Sequence, residues 1–288
     1  MIEDPYLGKY TACVSARSTD REILKKSQDG GIATTLMVYA LEQGIIDGAI
    51  VTGKGDRPWE PKPFVAMSRE DILKARGGTI YNISPPQISW LKEATRSYGL
   101  DRVGVTGVCC QMQAVRKAQL YPMNMRDVPE KIGLAIGLFC MENFSYKSMQ
   151  TIVEDHAAQS LGSVKKMEIT KGKFWVYTDR GNVATVPPLK DTHKYEQPGC
   201  HVCLDYVSNL GDISTGSVGS RKAGLRSLSA PERVMKSGLE QSMRDCSRRS
   251  PSRMSSQVSI SSGSLRRKRS TRTARPSRSA GISALIRR

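Results

Sequence analysis

Four of the seven cysteines in this chain occupy positions that could bring their thiolates to one metal centre. Cys200 and Cys203 form a C-x-x-C pair within PGCHVC, and Cys110 and Cys140 are each the last residue of a long apolar run that predicts a buried strand. Four thiolates suit a tetrahedral zinc ion or a [4Fe–4S] cluster. Zinc ribbons usually carry two C-x-x-C pairs, so one pair with two distant single cysteines is closer to the pattern of a redox cluster.

The remaining cysteines are weaker candidates for such a site. Cys109 is the alternative ligand to Cys110, because alternation along a strand would point the two side chains in opposite directions. Cys13 is interpreted as a core residue, since free cysteine is among the most buried residue types. Cys246 lies in a C-terminal segment of different composition and is set aside.

Two stretches rich in small residues could bind an anionic cofactor. SQDGGIATTL, residues 27–36, places Asp-Gly-Gly before a helical pattern, where free backbone N–H groups attract anions. STGSVGS, residues 214–220, is predicted to be a second small-residue loop, whose hydroxyls and glycines allow a phosphate to approach closely. Either stretch alone is more often an ordinary turn, but beside a cluster they suggest a bulky phosphorylated cofactor such as FAD. The candidate residues are Ser27, Gln28, Asp29, Gly30, Gly31, Thr215, Gly216, Ser217 and Gly219.

Apolar patterns predict the elements that position these residues. Residues 19–43 have helical periodicity interrupted by a glycine pair, and residues 48–53, 102–110 and 132–140 are apolar runs typical of buried strands. The second and third runs each precede a helical pattern, and residues 167–178 are predicted to form a hairpin that turns at 171–173. We therefore predict an α/β fold: a mixed, largely parallel sheet with flanking helices and a cluster-binding loop. Because the carboxyl ends of parallel strands form one edge, Cys110 and Cys140 are expected to share that edge.

The length and hydropathy favour a cytoplasmic protein with reduced thiols. At 288 residues the chain can bury a sizeable core without disulfides. No apolar run reaches the length of a bilayer span, and MIEDPYLGKY lacks the basic and apolar regions of a signal peptide. Thiols stay reduced in the cytoplasm, which favours metal or redox chemistry over disulfides.

The net charge of +17 comes almost entirely from the C-terminal segment. Residues 1–220 hold 26 Lys+Arg and 24 Asp+Glu, whereas residues 221–288 hold 18 and 3, with 17 serines and no aromatic residue. We predict an oxidoreductase domain over 1–220 and a basic Ser/Arg-rich tail over 221–288 that is either disordered or translated out of frame. A protein that binds nucleic acid through this tail is the alternative from a different class.

Codon reconstruction favours the out-of-frame interpretation. RKAGLRSL, residues 221–228, can be back-translated so that one added upstream base converts it to PEGWSTVF. MSSQVSISSGSLRRK, residues 254–268, converts in the same shifted frame to VKPGLDLLRKLAEE, which has turn residues before an amphipathic helical pattern. Because one direction of shift restores both stretches, we prefer a frameshift to a genuine basic tail. Such a tail is expected to be sensitive to protease and to carry no functional residue.

The motifs in series resemble the beta-subunit family of coenzyme F420-reducing hydrogenases. The resemblance covers residues 8–220 and rests on CVSARSTDREI, SQDGGI, VCCQMQAVRK, GLFCMENF, KGKFWVY, YEQPGCHVCLDYV and DISTGSVGS. The family has Pro-Cys-Gln where this chain has Cys109-Cys110-Gln111, which makes Cys110 the matched ligand. The family also continues beyond the S-V-G-S motif with a sequence like the restored frame.

This resemblance implies a set of cofactors and partners. The cofactors are FAD and one [4Fe–4S] cluster held by Cys110, Cys140, Cys200 and Cys203, with coenzyme F420 as hydride acceptor in methanogenesis. The partners are an alpha subunit, whose nickel–iron centre splits dihydrogen, and a gamma subunit, whose clusters carry electrons; no nucleic acid is expected. The resemblance allows peripheral association of the complex with a membrane. The F420-linked subunit of a formate dehydrogenase, or of a related oxidoreductase, is the runner-up.

Overall fold

An eight-stranded mixed sheet is the central feature of the protein, which was analysed as a computed structural model. The structure describes residues 2–4, 8–10, 13–75, 80–82, 87–122, 125, 128–170, 172–181, 183–188, 193–217, 225–228 and 258–261. The strands in chain order are β1 (Ile2–Asp4), β2 (Gly8–Tyr10), β3 (Cys13–Ser18), β4 (Gly48–Lys54), β5 (Pro61–Ala66), β6 (Val103–Val108), β7 (Ile132–Leu138), β8 (Val164–Thr170), β9 (Lys173–Thr178), β10 (Val183–Pro188), β11 (Ile213–Gly216), β12 (Leu225–Leu228) and β13 (Val258–Ser261).

Helices connect and cover these strands. The α-helices are α1 (Arg21–Lys26), α2 (Ile32–Glu42), α3 (Arg69–Lys74), α4 (Gln87–Lys92), α5 (Cys109–Leu120), α6 (Tyr146–Gln150) and α7 (Pro198–His201). Helix α4 continues into a π-helical turn at Glu93–Ser97, and α6 continues into another at Thr151–His156. Short 3-10 turns lie at Pro129–Lys131, Leu161–Ser163 and His193–Tyr195. None of the helices in the described part of the chain is long and apolar enough to cross a bilayer.

The centre of the large sheet is parallel and its margins are antiparallel. The strand order is β13-β3-β12-β11-β7-β6-β4-β5. Strands β4, β6, β7 and β11 pair in parallel, whereas β5, β12, β3 and β13 join by antiparallel pairings. This arrangement confirms the predicted α/β fold with a mixed sheet. It also places the carboxyl ends of β4, β6, β7 and β11 along one edge, which we call the carboxyl edge.

The predicted elements are present, with one shift of a boundary. The interrupted helical pattern at 19–43 forms α1 and α2, and the predicted hairpin forms β8 and β9. The apolar runs at 102–110 and 132–140 form β6 and β7, but these strands end at Val108 and Leu138, which pair with each other at the sheet edge. The expectation that Cys110 and Cys140 end the strands is therefore wrong. Beyond the last ladder pair the chain leaves the sheet, so residues 109 and 110 begin α5 instead.

Two layers of apolar side chains sandwich the large sheet. On one face, α2 packs through Leu36 and Met37 against Val51 of β4 and Ile136 of β7. On the other face, α4 and α5 pack against Ile50 and against the neighbouring strands. The alternation of Ile50 and Val51 between the two faces follows from the two-residue period of a strand. This double burial explains why the central strands have continuous apolar sequences.

A second, three-stranded antiparallel sheet contains β8, β9 and β10. Its core includes Phe144, Phe174 and Trp59, all buried. Trp59 has a φ of 61°, and its Nε1 donates to the carbonyl oxygen of Val164 at 3.2 Å. The loop that follows β4 is thereby attached to the small sheet.

The C-terminal 68 residues contribute two short strands to the described structure. Strand β12 lies between β11 and β3, and β13 pairs with β3 on its other side. The division of the chain at residue 220 and the origin of the tail stay predictions.

Candidate functional site

The four predicted ligand cysteines meet at the carboxyl edge. Cys110 is the second residue of α5, Cys140 follows β7, Cys200 lies on α7, and Cys203 lies just beyond it. Burial raises the pKa of Cys140 to about 12, and the nearby thiols of Cys110, Cys200 and Cys203 add to the effect. The pKa of Cys110 is raised by burial and then by Cys203 and Cys200. Each thiol thus lies within electrostatic range of the others, although they are up to 93 residues apart in the chain.

Cys109 has a different environment from Cys110. Cys109 is only 2% exposed, and its thiol donates to the carbonyl oxygen of Leu138 at 3.7 Å. The backbone N–H of Ser208 donates to its sulfur. Burial raises the pKa of Cys109, with a smaller contribution from Asp205. Cys110 is exposed and belongs to the group of four thiols, so the geometry favours Cys110 over Cys109 as the ligand.

The C-x-x-C pair is held by a short helix and not by the open loop expected from its sequence. Pro198 occupies the first helical position, where the missing N–H has no consequence. The N–H of Cys200 donates to the carbonyl of Gln197 at 2.8 Å, and the N–H of Cys203 donates to the carbonyl of Cys200 at 3.3 Å. These bonds place Cys200 at the start and Cys203 at the end of one helical turn. His201 is exposed and lies 3.7 Å from the Glu196 carboxylate.

The four thiols are close enough to interact electrostatically. Within the described residues, no three His, Cys, Asp or Glu side chains could hold one metal ion. A zinc ion requires Zn–S distances of about 2.3 Å, which would draw the four sulfurs tightly together. A four-iron cluster binds one thiolate on each iron, so its four sulfur ligands lie farther apart than those of a single ion.

The first small-residue stretch turns sharply into α2. Gly31 is the N-cap residue with a φ of 72°, and a Cβ there would lie 2.7 Å from both Ile23 Cγ2 and Ser27 Oγ. The Ser27 hydroxyl donates to the carbonyl of Ile23 at 2.6 Å, and the amide of Gln28 donates to the carbonyl of Met167 at 3.4 Å. Gly30 is buried and its carbonyl accepts from the N–H of Ser18 at 2.8 Å. The predicted turn before a helix is therefore present, and Gly31 is required by its conformation alone.

The second stretch is mostly strand, which corrects the expectation of a loop starting at residue 214. Thr215 and Gly216 end β11, and the hydroxyl of the buried Thr215 donates to the carbonyl of Gly137 at 3.3 Å. A Cβ on Gly216 would overlap the ring of Phe139 and lie 2.7 Å from its Cβ. Residues 213–215 pair in parallel with β7, which extends the ladder through the stretch. Ser217 lies beyond the strand, and Gly219 lies outside the described residues.

The two small-residue stretches meet in space. The Ser217 hydroxyl donates to the carboxyl group of Asp29. Burial raises the pKa of Asp29, and Glu168 raises it further, whereas the Ser217 hydrogen bond and Lys166 act in the opposite direction. A half-buried carboxyl group thus lies where α2 begins and β11 ends.

Two aromatic residues that the sequence motifs did not indicate lie beside the thiols, and one of them, Phe139, also contacts the second small-residue stretch. The centroids of the Phe139 and Tyr206 rings are 5.7 Å apart and the rings are tilted by 54°. Burial raises the pKa of Tyr206 to about 12, with smaller effects from Cys109 and Cys140. Their position in GLFC and in CLDYV, one and three residues from predicted ligand cysteines, is the signal that could have identified them.

Comparisons with known proteins cover most of the chain. A sequence model described as coenzyme F420 hydrogenase/dehydrogenase, beta subunit N-term, matches residues 13–92, and the corresponding C-terminus model matches residues 100–233. The coenzyme F420 hydrogenase subunit beta of Methanosarcina barkeri (strain Fusaro) is 84% identical over 220 residues, which are 76% of this chain and 75% of that protein. The subunit of the same name from Methanothermobacter thermautotrophicus is 53% identical over 74% of this chain and 75% of its own length.

A solved structure resembles this fold over most of its length. A chain from the F420-reducing [NiFe] hydrogenase complex of Methanosarcina barkeri superposes with a TM-score of 0.83 and 72% sequence identity. The match covers 91% of this chain and 85% of that one.

Proposed function

The chain belongs to the coenzyme F420 hydrogenase/dehydrogenase beta-subunit family, and from that premise we propose that it delivers electrons from dihydrogen oxidation to coenzyme F420. It is an oxidoreductase subunit that supports electron transfer in F420 reduction. The observation that carries the finer proposal is the convergence of four thiols at the carboxyl edge, beside the contact between Asp29 and Ser217.

We assign the four thiols to one [4Fe–4S] cluster. Cys110, Cys140, Cys200 and Cys203 supply the four thiolates that such a cluster needs, and one C-x-x-C pair with two distant single cysteines differs from the two pairs of a zinc ribbon. Three backbone elements hold the set, because Cys110 is the second residue of α5, Cys140 follows β7, and the C-x-x-C pair lies on α7 and just beyond it. Pairing of β6 with β7 keeps the first two elements in register.

We assign the contact between the two small-residue stretches to FAD. The first N–H groups of α2 have no partner within the helix and would receive an anionic phosphate. The Asp29 carboxylate repels a phosphate, so we assign it to accepting a hydrogen bond from a ribose or ribityl hydroxyl. Ser217 orients that carboxylate. When bound, the cluster would supply single electrons and the flavin would supply the two-electron step that a hydride acceptor requires.

The partners follow from the relatives. The similar solved chain comes from an F420-reducing [NiFe] hydrogenase complex, so we propose a hetero-oligomer with a nickel–iron alpha subunit and an iron–sulfur gamma subunit. The matched family also includes dehydrogenases, which keeps a formate dehydrogenase subunit as the second candidate. The subunits that co-purify with the chain distinguish the two. A cytoplasmic location is part of the same proposal.

The test is the cofactor content of the chain purified anaerobically with its partner subunits. We expect about four irons per chain beyond those of the partners, and one FAD. Cys200→Ser should lower iron content, whereas the matched Cys13→Ser, on β3, should not. Stoichiometric zinc in place of iron, or unchanged iron in Cys200→Ser, would contradict the cluster assignment.

The flavin assignment needs variants that do not disturb packing. Valine at Gly31 or Gly216 would collide with neighbouring side chains whether or not flavin binds there, so these variants cannot test the site. Ser217→Ala removes only a hydroxyl at an exposed position. We expect it to weaken FAD binding and to leave iron content unchanged. Full flavin affinity in both Ser217→Ala and Asp29→Asn would show that the flavin lies elsewhere.

A further inference from the structure

Phe139 connects the proposed cluster site to the proposed flavin site by direct contacts. It immediately precedes Cys140 in the chain, and its backbone N–H donates to the carbonyl of Thr215 at 2.9 Å. Its ring covers Gly216 so closely that a side chain there would overlap it. One residue therefore contacts both a ligand cysteine and the end of β11.

Tyr206 continues this contact on the side of the thiols. Its carbonyl accepts from the backbone N–H of Cys140 at 3.0 Å, and its ring lies against that of Phe139 in a tilted arrangement. Aromatic pairs at this separation gain stabilisation from their electrostatic complementarity beyond the buried area. Packed rings also adopt few alternative rotamers, so the pair is a rigid unit.

We propose that Phe139 and Tyr206 form a spacer that fixes the separation of the cluster and the flavin and provides the packed path between them. The proposal rests on the function proposed above. Electron tunnelling weakens steeply with distance and is faster through packed atoms than across a gap. Two single-electron transfers across the spacer, with two protons from solvent, balance the two-electron reduction of the flavin. Neither ring is oxidised or reduced, so the two residues act by position.

The glycine at position 216 follows from the same geometry. Because the Phe139 ring occupies the space of a side chain, the backbone of β11 lies directly against the ring. The strand end that precedes Ser217 is therefore held at van der Waals distance from the residue that precedes Cys140. A smaller side chain at position 139 would open a gap between the two sites without removing any proposed ligand.

The test separates the two ways of reducing the flavin in the complete complex, prepared anaerobically. Dihydrogen reduces it through the cluster, whereas reduced coenzyme F420 transfers a hydride to it directly. In Phe139→Leu and Tyr206→Leu we expect normal iron and flavin contents, slower flavin bleaching by dihydrogen, and unchanged bleaching by reduced F420. Tyr206→Phe keeps the ring and should behave as wild type. Tyr195→Leu, which breaks an aromatic pair with His156 elsewhere, is the matched control.

Several outcomes would contradict the proposed role of Phe139 and Tyr206 as a spacer. Equal slowing of both half-reactions would assign the pair a purely structural role, as would loss of iron and flavin from both leucine variants. Unchanged rates in both variants would show that the electron path runs elsewhere. If only Phe139→Leu loses flavin, the two bleaching rates of Tyr206→Leu distinguish a spacer from a structural role, because that variant leaves the Phe139 ring against Gly216 in place. Absence of flavin or iron from the wild-type complex would refute the proposed function itself, and the spacer with it.

Discussion

Cys109 and Cys110 have the same side chain but opposite environments. Residue 109 is the first residue of α5, and its thiol is directed back to the end of β7 through the Leu138 carbonyl. Residue 110 is one position further along the helix, about 100° around its axis, and belongs to the group of four thiols. The start of the helix, and not the chemistry of the residue, decides which sulfur is available as a ligand.

We predict that Cys109→Pro folds and keeps its iron. Proline is favoured at the first helical position, and Val108 before it has the extended conformation (φ −81°, ψ 172°) that proline requires of its neighbour. Loss of the two hydrogen bonds to the sulfur should lower the stability by no more than about 1–2 kcal/mol. Iron analysis and thermal unfolding measure both effects, with Cys110→Ser as the comparison that loses iron. Iron loss from Cys109→Pro and not from Cys110→Ser would reverse the assignment.

Asp29 provides a polar group at the proposed flavin site, but its ionised carboxylate lowers the stability of the folded protein because the group is partly buried. Its pKa in the folded protein is raised, first by burial and then by Glu168. The contribution of this carboxyl to stability is therefore fully present below its pKa in the unfolded chain, and it is lost as the pH rises through the higher folded pKa. Tyr81, itself partly buried, is within electrostatic range of the same carboxyl.

We predict that Asp29→Asn raises the Tm of the flavin-free protein at neutral pH and removes the contribution of this carboxyl to the pH dependence of the Tm. The same variant should bind FAD about tenfold more weakly, because it loses a charge-assisted hydrogen bond. Thermal unfolding across the acid range and flavin titration measure the two effects. Asp155→Asn, at an exposed position of a π-helical turn, is the control and should change neither. A lower Tm in Asp29→Asn at neutral pH would show that the ionised carboxylate is stabilising.

At the scale of elements, the segment between α7 and β11 is packed against β7 by a glycine. A Cβ on Gly137 would overlap Ser208 Oγ and lie 2.6 Å from Ser208 Cβ. Ser208 is fully buried with a φ of 57°, and its Oγ has no hydrogen-bond partner among the described residues. Its carbonyl accepts from Ser214 Oγ at 2.8 Å, which fastens the segment to β11. This close contact places the segment that follows Cys203 next to the strand that precedes Cys140.

A double-mutant cycle tests this contact. We predict that Gly137→Ala destabilises the protein by about 2 kcal/mol through overpacking. Ser208→Gly removes the clashing atoms and suits the positive φ, so it should recover most of that loss in the double variant. Gly133→Ala, on the same strand with its nearest neighbour at 3.4 Å, should have little effect. Denaturant unfolding gives the four free energies, and additive effects in the double variant would contradict the contact.

At the scale of the whole molecule, β12 is an interior strand of the large sheet, a position that restricts which residues are favourable. It is hydrogen-bonded on both sides, to β11 and to β3, within the sheet that carries both proposed sites. A strand inside a sheet favours β-branched and aromatic residues. The sequence at 225–228 is Leu-Arg-Ser-Leu, whereas the shifted frame reads Ser-Thr-Val-Phe at these positions. The position of β12 is thus better suited to the restored sequence than to the present one.

We predict that restoring the frame from residue 221 onward raises the Tm, strengthens FAD binding and improves assembly with the partner subunits. The restored sequence has a β-branched and an aromatic residue, which suit a strand inside a sheet, and burial of one aromatic side chain contributes about 1.5–3 kcal/mol. Thermal unfolding and co-purification of the two chains measure the difference. A chain with only Arg226→Thr and Ser227→Val separates the contribution of β12 from that of the rest of the tail. Equal stability and assembly of the original and restored chains would refute the frameshift hypothesis.

The sequence by itself determined the α/β class, the central strands, the hairpin and the four cysteines. These follow from local rules: continuous apolar runs indicate strands covered on both faces, and Cys-x-x-Cys spacing sets two thiols one helical turn apart. It left open the choice between Cys109 and Cys110, and it placed the start of the second small-residue loop before Thr215 and Gly216, which are strand residues.

The tertiary structure determined the features that depend on where a strand ends and on which strands are neighbours in the sheet. The ladder between β6 and β7 ends at Val108 and Leu138, and only this end point starts α5 at Cys109 and exposes Cys110. The parallel pairing of β11 with β7 brings Gly216 against Phe139, 77 positions earlier in the chain. No local pattern encodes such contacts, because they arise from the order of strands in the sheet and from close packing between residues far apart in sequence.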